Sequence, residues 1–123
     1  MWLFALGIFL SRLPFLSQGY GLDGDSWSVA IVARNIAMTG NYEVSRFPGY
    51  PVQELICSLF YNGTAWRLNL LTAIISTIGV LFFALTLKAW KFKYVFLAAA
   101  ALAFVPIIYI NSTTTIDYVW ALS

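Results

Sequence analysis

The side chains able to do chemistry cluster in one stretch, "GYGLDGDSWSVAIVARNIAMTGNYEVSRFPGYPVQEL", and in one outlier, Asp117. Asp23 and Asp25 stand one glycine apart in a chain that is 61% hydrophobic and 10% charged. An ionised carboxylate takes a proton from a hydroxyl, or orients it, as that hydroxyl attacks. Asp25 also suits an N-cap position, where a carboxylate accepts backbone N–H bonds from Trp27 or Ser28. The two roles are compatible, because backbone donors and the helix dipole both favour an anion there. Asp23 either assists Asp25 or joins it in binding a divalent cation, a pair without a third ligand. Arg46 lies in "SRFPGYP", beside two prolines. A guanidinium matches phosphate oxygens, whether of a headgroup or of a lipid-linked phosphate. Glu54, about two turns downstream, either pairs with Arg46 or faces water. Asp117 follows "STTT" and either joins the same site or serves as a first-turn acid of the next helix.

Other chemistries fit less well. Gly19, Gly21 and Gly24 spell GxGxxG, and Glu43 follows about 20 residues later, as a dinucleotide fingerprint requires. That motif must follow a strand and open a βαβ unit. Here it follows an apolar stretch containing Pro14, so the glycines read as a flexible exit from a membrane span. The chain has no His and a single Cys, Cys57, which excludes an internal disulfide and a Cys/His metal set. Cys57 is expected to pack as a small apolar side chain. Net charge is +2 with no basic cluster, so nucleic acid is excluded as a partner.

These residues need elements to hold them, and the composition points to a bilayer. A soluble domain carries about 25% charged residues. The expected fold is all-α and polytopic, with three transmembrane helices over about 2–17, 67–88 and 94–110 and the opening of a fourth at "DYVWALS". Residues 68–87 run for 20 residues without a charge, about 30 Å of helix and one hydrocarbon thickness. Arg12 lies about one turn from the end of the first stretch and is placed to snorkel. That stretch lacks the basic start and the A-x-A site of a signal peptide. The chain reads as the N-terminal part of a longer membrane protein.

Lys88, Lys91 and Lys93 crowd the short connection "KAWKFK", which puts it in the cytoplasm. Asp23, Asp25, Arg46, Glu54 and Asp117 then share the outer face. Arg34, Arg46 and Arg67 lie on or beside that face against the rule, and anion binding is one explanation. Two interfacial helices are expected in the outer loop, over about 26–39 and 51–61. The first has no Gly or Pro inside it, and Gly40 ends it. Its Ser28, Asn35 and Thr39 fall within about 40° of one another, a polar stripe on an otherwise apolar helix. The second opens with Pro51 and is too short to span.

The order of these features resembles the N-terminal part of the GT-C superfamily of polytopic glycosyltransferases, which includes protein O-mannosyltransferases and the lipid A aminoarabinose transferase. "SRLPFL" is similar to the family's Arg/Pro turn after the first span. "DGDSWSVAIVARNIAMTGNY" is similar to its acidic loop and interfacial helix, with Asp25 nine residues before Arg34. "SRFPGYPVQEL" resembles its Pro-containing turn and short helix, and Asp117 matches an Asp common after the third span. Two departures stand out: Ser26 replaces the second acid of the usual pair, and Arg46–Pro51 replaces a Lys-Pro-Pro turn.

The resemblance implies an integral protein of a bacterial or archaeal cell membrane, with its site on the extracytoplasmic face. It implies sugar transfer from a polyprenyl-phosphate donor to an acceptor glycan, lipid or protein. Asp25 would be the catalytic base. Arg46 would hold the departing lipid phosphate, and Asp23, Glu54 and Asp117 would help bind substrate. Some members use a divalent metal, which here would fall on Asp23 and Asp25; no other cofactor is implied. The alternative reading is a non-enzymatic membrane protein, a transporter half or an assembly subunit. Transporters place polar groups and broken helices near the bilayer midplane; here the charges gather at the interface.

Overall fold

The computed structural model describes residues 1–122, without the side chains of Asp117 and Leu122. Those residues are all-helical, with no strand. Helix α1 spans Trp2–Arg12, and a 3₁₀ turn, Leu13–Phe15, continues it. Then come α2 (Gly24–Thr39), α3 (Pro51–Phe60), α4 (Ala65–Ala89), α5 (Val95–Ala103), α6 (Pro106–Asn111) and α7 (Asp117–Leu122).

Of the three expected spans, only the second forms one helix long and apolar enough to cross a bilayer alone. This is α4, 25 residues with a mean hydropathy of 2.4 in its most apolar window. The first stops early because Pro14 tightens the chain into the 3₁₀ turn. The third breaks in two. Pro106 forces Val105 out of the helical region to ψ 125°, so α5 ends and α6 restarts one residue later. Stacking of Phe104 on Tyr109, with centroids 5.7 Å apart, closes the break.

The other segments are organised along α4. One apolar core, Ile8, Val80, Ala84, Ala99 and Ala103, joins α1 and α5 to its C-terminal half. A second core, Val29, Ala30, Ala33, Cys57 and Leu68, joins α2 and α3 to its first turn. Between them runs a stripe of buried polar residues on α4: Asn69, Thr72, Ser76 and Thr77. Their spacing puts them on one face. Asn69 Nδ2 donates to the carbonyls of Leu16 (3.0 Å) and Gly19 (2.7 Å), and its Oδ1 accepts from Thr115 Oγ1 (2.8 Å). Trp120 Nε1 donates to Thr72 Oγ1 at 3.2 Å. This stripe therefore ties the exit from α1, the segment before α7, and α7 itself to one helix.

Arg12 departs from expectation. It does not reach for a water-facing edge but is fully buried against α4. Its Nη1 donates to Thr77 Oγ1 at 2.9 Å and to the Ala73 carbonyl at 3.3 Å. Among the described residues, Nε and Nη2 have no partner. Ala73 is small enough to let the guanidinium approach the backbone, and Thr77 one turn later supplies the hydroxyl.

The lysine-rich connection lies at the far end of α4 from the second core. Trp90, Phe92 and Tyr94 alternate there with Lys88, Lys91 and Lys93, and all six are exposed. Lys93 Nζ sits 5.2 Å from the Tyr94 ring centre.

Candidate functional site

Asp25 is not the cap of α2. The helix begins at Gly24, and its cap is Asp23, in extended conformation (φ −84°, ψ 131°). Asp23 Oδ1 accepts from the Asp25 backbone N–H at 2.9 Å. The cap is worth about 1 kcal/mol. Asp23 can serve because one residue, Gly24, separates it from the amide it binds. This shift by two residues leaves the Asp25 side chain unused by its own helix. Asp25 stands in the first turn of α2, about one-third exposed, and forms an ion pair with Arg46. Helix α2 ends on Gly40 at φ 73°, the left-handed cap that Gly adopts without strain.

Arg46 comes from the loop between α2 and α3, 21 residues after Asp25. Its Nη1 donates to Asp25 Oδ2, and its Nη2 donates to the Tyr50 hydroxyl at 3.0 Å. The Tyr50 and Tyr118 rings lie 5.4 and 5.9 Å from its Cζ, so two aromatic faces flank the guanidinium. Its side chain remains 37% exposed, enough for solvent or a ligand to reach it.

Glu54 does not pair with Arg46. It is fully buried at the start of α3 and holds the loop instead. Its Oε1 accepts from Ser45 N at 2.7 Å and Ser45 Oγ at 2.6 Å, and its Oε2 accepts from the Tyr42 hydroxyl at 2.6 Å. Burial pushes the Glu54 carboxyl up, but the bonds from Ser45 and Tyr42 outweigh it, and the group titrates below the usual value. Glu54 therefore fixes the residue next to Arg46. The same loop turns at Gly49, φ 96°, where an added Cβ would lie 3.0 Å from Val44 Cγ1. Val44, Ser45 and Gly49 thus confine the stretch that presents Arg46. A cis peptide joins Phe47 to Pro48.

The structure brings Asp25 and Arg46 together, with Asp23 and Glu54 in supporting roles. Asp117 starts α7, one residue before Tyr118, and its side chain lies outside the described residues. Ser26, where the resemblance expects a second acid, is fully buried, and its Oγ has no partner among the described residues. A carboxylate there would be desolvated without compensation. The polar stripe of α2 is satisfied locally: Ser28 and Thr39 bond backbone carbonyls, and Asn35 donates to Glu43 Oε2 at 2.8 Å. Cys57 is buried as expected, and burial pushes its thiol up to about 12.

A metal fits poorly on Asp23 and Asp25. One oxygen of Asp23 is committed to the helix cap, and Asp25 is neutralised by Arg46. Among the described residues no three His, Cys, Asp or Glu side chains gather.

Six residues of the Arg46 cluster and of the cavity that shares Tyr50 with it escaped the sequence reading: Tyr42, Ser45, Tyr50, Gln53, Tyr118 and Trp120. Tyr50 lay in view, four residues after Arg46 inside the Pro-bounded turn. Tyr118 was hidden behind Asp117. Gln53 is buried, and neither carboxamide atom has a partner among the described residues. It lines a cavity of about 260 Å³ with Gly49, Tyr50, Pro51, Val52, Trp120 and Ala121.

No protein-family model, curated protein or solved structure matches this chain.

Proposed function

We propose that the chain is part of a lipid-linked glycosyltransferase of the GT-C kind, a polytopic membrane protein with its site on the extracytoplasmic face. The observation that carries this reading is the pairing of Asp25 with Arg46 across 21 residues of sequence, between two tyrosine rings. In this reading α1, α4 and the broken α5–α6 are three passes through the bilayer. The lysine connection is cytoplasmic, and Asp25 lies at the opposite end of α4. The ends of the passes agree with that arrangement: Leu16 and Thr115 both meet Asn69 near the start of α4.

The donor is a sugar joined through its anomeric carbon to a polyprenyl phosphate. Its phosphate competes with Asp25 for Arg46, and the released carboxylate turns to the acceptor hydroxyl. The acceptor oxygen bonds to the anomeric carbon while the bond from that carbon to the phosphate oxygen breaks. Asp25 takes the hydroxyl proton, and Arg46 stabilises the charge that collects on the leaving phosphate. Resting as an ion pair keeps both charges compensated until donor arrives. No step runs through a metal.

Asp25→Asn in the full chain, assayed in membranes for transfer from a polyprenyl-phosphate sugar, tests this. General-base loss lowers turnover by about 10²–10⁴-fold. Turnover equal to the parent's removes Asp25 from the mechanism. The alternative, a non-enzymatic membrane subunit, is favoured if the parent protein also transfers no sugar.

A further inference from the structure

We infer that the lysine-rich turn at the C-terminal end of α4 is a docking surface for anionic phospholipid. Lys88, Lys91 and Lys93 meet the headgroup phosphates, and the rings of Trp90, Phe92 and Tyr94 lie against the glycerol and upper acyl chains. This rests on the membrane arrangement proposed above and not on the sugar chemistry.

The charge of this turn has no counterpart within the protein. Four of the five carboxylates belong to α2, α3 and the loops beside them, and those helices pack on the first turn of α4. The fifth, Asp117, opens α7, which Trp120 ties to Thr72. Thr72 and Lys88 stand on one continuous helix, about 24 Å apart along its axis. Charges are screened over about 8 Å at physiological salt. Among the described residues none of the three ammonium groups enters an ion pair. The positive potential of this end is therefore left for an anion outside the protein.

The backbone of the turn is strained at the middle lysine. Helix α4 closes with the Phe92 amide donating to the Leu87 carbonyl and the Lys91 amide to the Lys88 carbonyl, both at 3.0 Å. Lys91 takes the left-handed position of this closure, at φ 56°. Gly is the usual occupant there, and α2 places Gly40 at its own left-handed end. Among the described residues, Lys91 is the only one besides glycines with a positive φ. Strain held at one exposed side chain points to a task for that side chain outside the fold.

The rings decide what carries the anion. Trp90 is 78% exposed, and Phe92 and Tyr94 are 49% and 56% exposed. A free phosphate would engage the lysines and leave three aromatic faces in water. A phospholipid answers both, with phosphate at the level of the ammonium groups and apolar chain at the level of the rings.

The experiment places the full chain in detergent micelles doped with equal amounts of phosphatidylglycerol and phosphatidylcholine of the same acyl chains, and native mass spectrometry counts the lipids it retains. A lysine near an anionic surface contributes about fivefold, so the parent should retain phosphatidylglycerol over phosphatidylcholine by about fivefold or more. The variant carrying Lys88→Gln, Lys91→Gln and Lys93→Gln should retain the two equally. Arg34→Gln combined with Arg67→Gln, at the opposite end of α4, should keep the parent's preference. No preference in the parent, a preference that survives the three lysine changes, or one that disappears with the two arginines overturns the surface while the membrane arrangement stands. A parent that retains neither lipid overturns the membrane arrangement and the surface with it. Excess inorganic phosphate should leave the bound phosphatidylglycerol in place; displacement shows a site for free anions and overturns the assignment to lipid. Lys91→Gly separates the task from the fold. It should melt at or above the parent's temperature, because Gly relieves the backbone, and yet lose part of the preference. A lower melting temperature, or the parent's full preference, overturns the inference.

Discussion

Replacing Glu54 by Gln should loosen the turn that presents Arg46 without emptying the core. The two side chains share a shape, so every contact of the parent has a geometric counterpart. What changes is charge, together with the sense of one bond: with Oε1 kept by Ser45, the Tyr42 hydroxyl now accepts from the carboxamide nitrogen instead of donating. Ser45 donates twice to Oε1, from its amide at 2.7 Å and its hydroxyl at 2.6 Å. Bonds to an ionised acceptor are roughly twice as strong as neutral ones, so each of the two weakens by about 1 kcal/mol. The total is about 2 kcal/mol, or about thirtyfold in the opening equilibrium of the loop. Hydrogen exchange of the Ser45 amide reads that equilibrium directly. The parent carries a second signature. Its Glu54 titrates below the ordinary value of 4.5, so the protection it gives is complete above that value. Protection is lost as pH falls through the lowered value, once intrinsic exchange has been divided out. Glu54→Gln should exchange about thirtyfold faster at neutral pH and show no acid step. Exchange within threefold of the parent, or the same acid step in the variant, would refute the idea that this carboxylate holds the loop.

Four further outcomes are expected. Arg12→Met should leave thermal stability within about 1 kcal/mol of the parent or raise it, since a buried charge with two bare nitrogens is removed and the Ala73 carbonyl keeps its bond from Thr77; circular dichroism melts in detergent decide. Asn69→Leu should cost about 3 kcal/mol in the same melts, because Leu16, Gly19 and Thr115 all lose their partner on α4. Cys57 should resist maleimide at pH 7.5 until the protein is unfolded, its thiol being buried and raised to about 12. Gly49→Ala should displace the loop, as its Cβ meets Val44 at φ 96°, and should lower sugar transfer in the full chain through a weakened hold on donor, read as a higher KM.

The parts of the fold written in local chemistry were legible. Gly40 ends α2, Pro51 opens α3, and 20 uncharged residues became the core of α4. Local signals were misplaced by small amounts that mattered. Two acids separated by Gly compete for one cap, and the one further from the helix won because its carboxylate reaches the amide two residues on. Pairings across the chain were not legible. Arg46 meets Asp25, and Glu54 meets Tyr42 and Ser45, for reasons of loop path that no spacing rule encodes. The polar stripe of α4 was readable in principle. Asn69, Thr72 and Ser76 recur at helical spacing, but counting charges in that stretch concealed them, since none is charged. Arg12 was misjudged for a related reason: its partners are a backbone carbonyl and a hydroxyl, which no charge count records.

The burial of Arg12 has a consequence for how the protein is made. Its two partners lie 61 and 65 residues further along the chain. At about 5–20 residues per second, synthesis reaches them roughly 3–13 s after Arg12 has formed. During that interval the guanidinium has no interior to enter, and it keeps its water. The position beside water expected from the sequence therefore describes the nascent chain, and the buried one describes the finished protein. Docking of α1 is then an event that waits for α4, and a chain interrupted before Thr77 would leave its first helix without a berth.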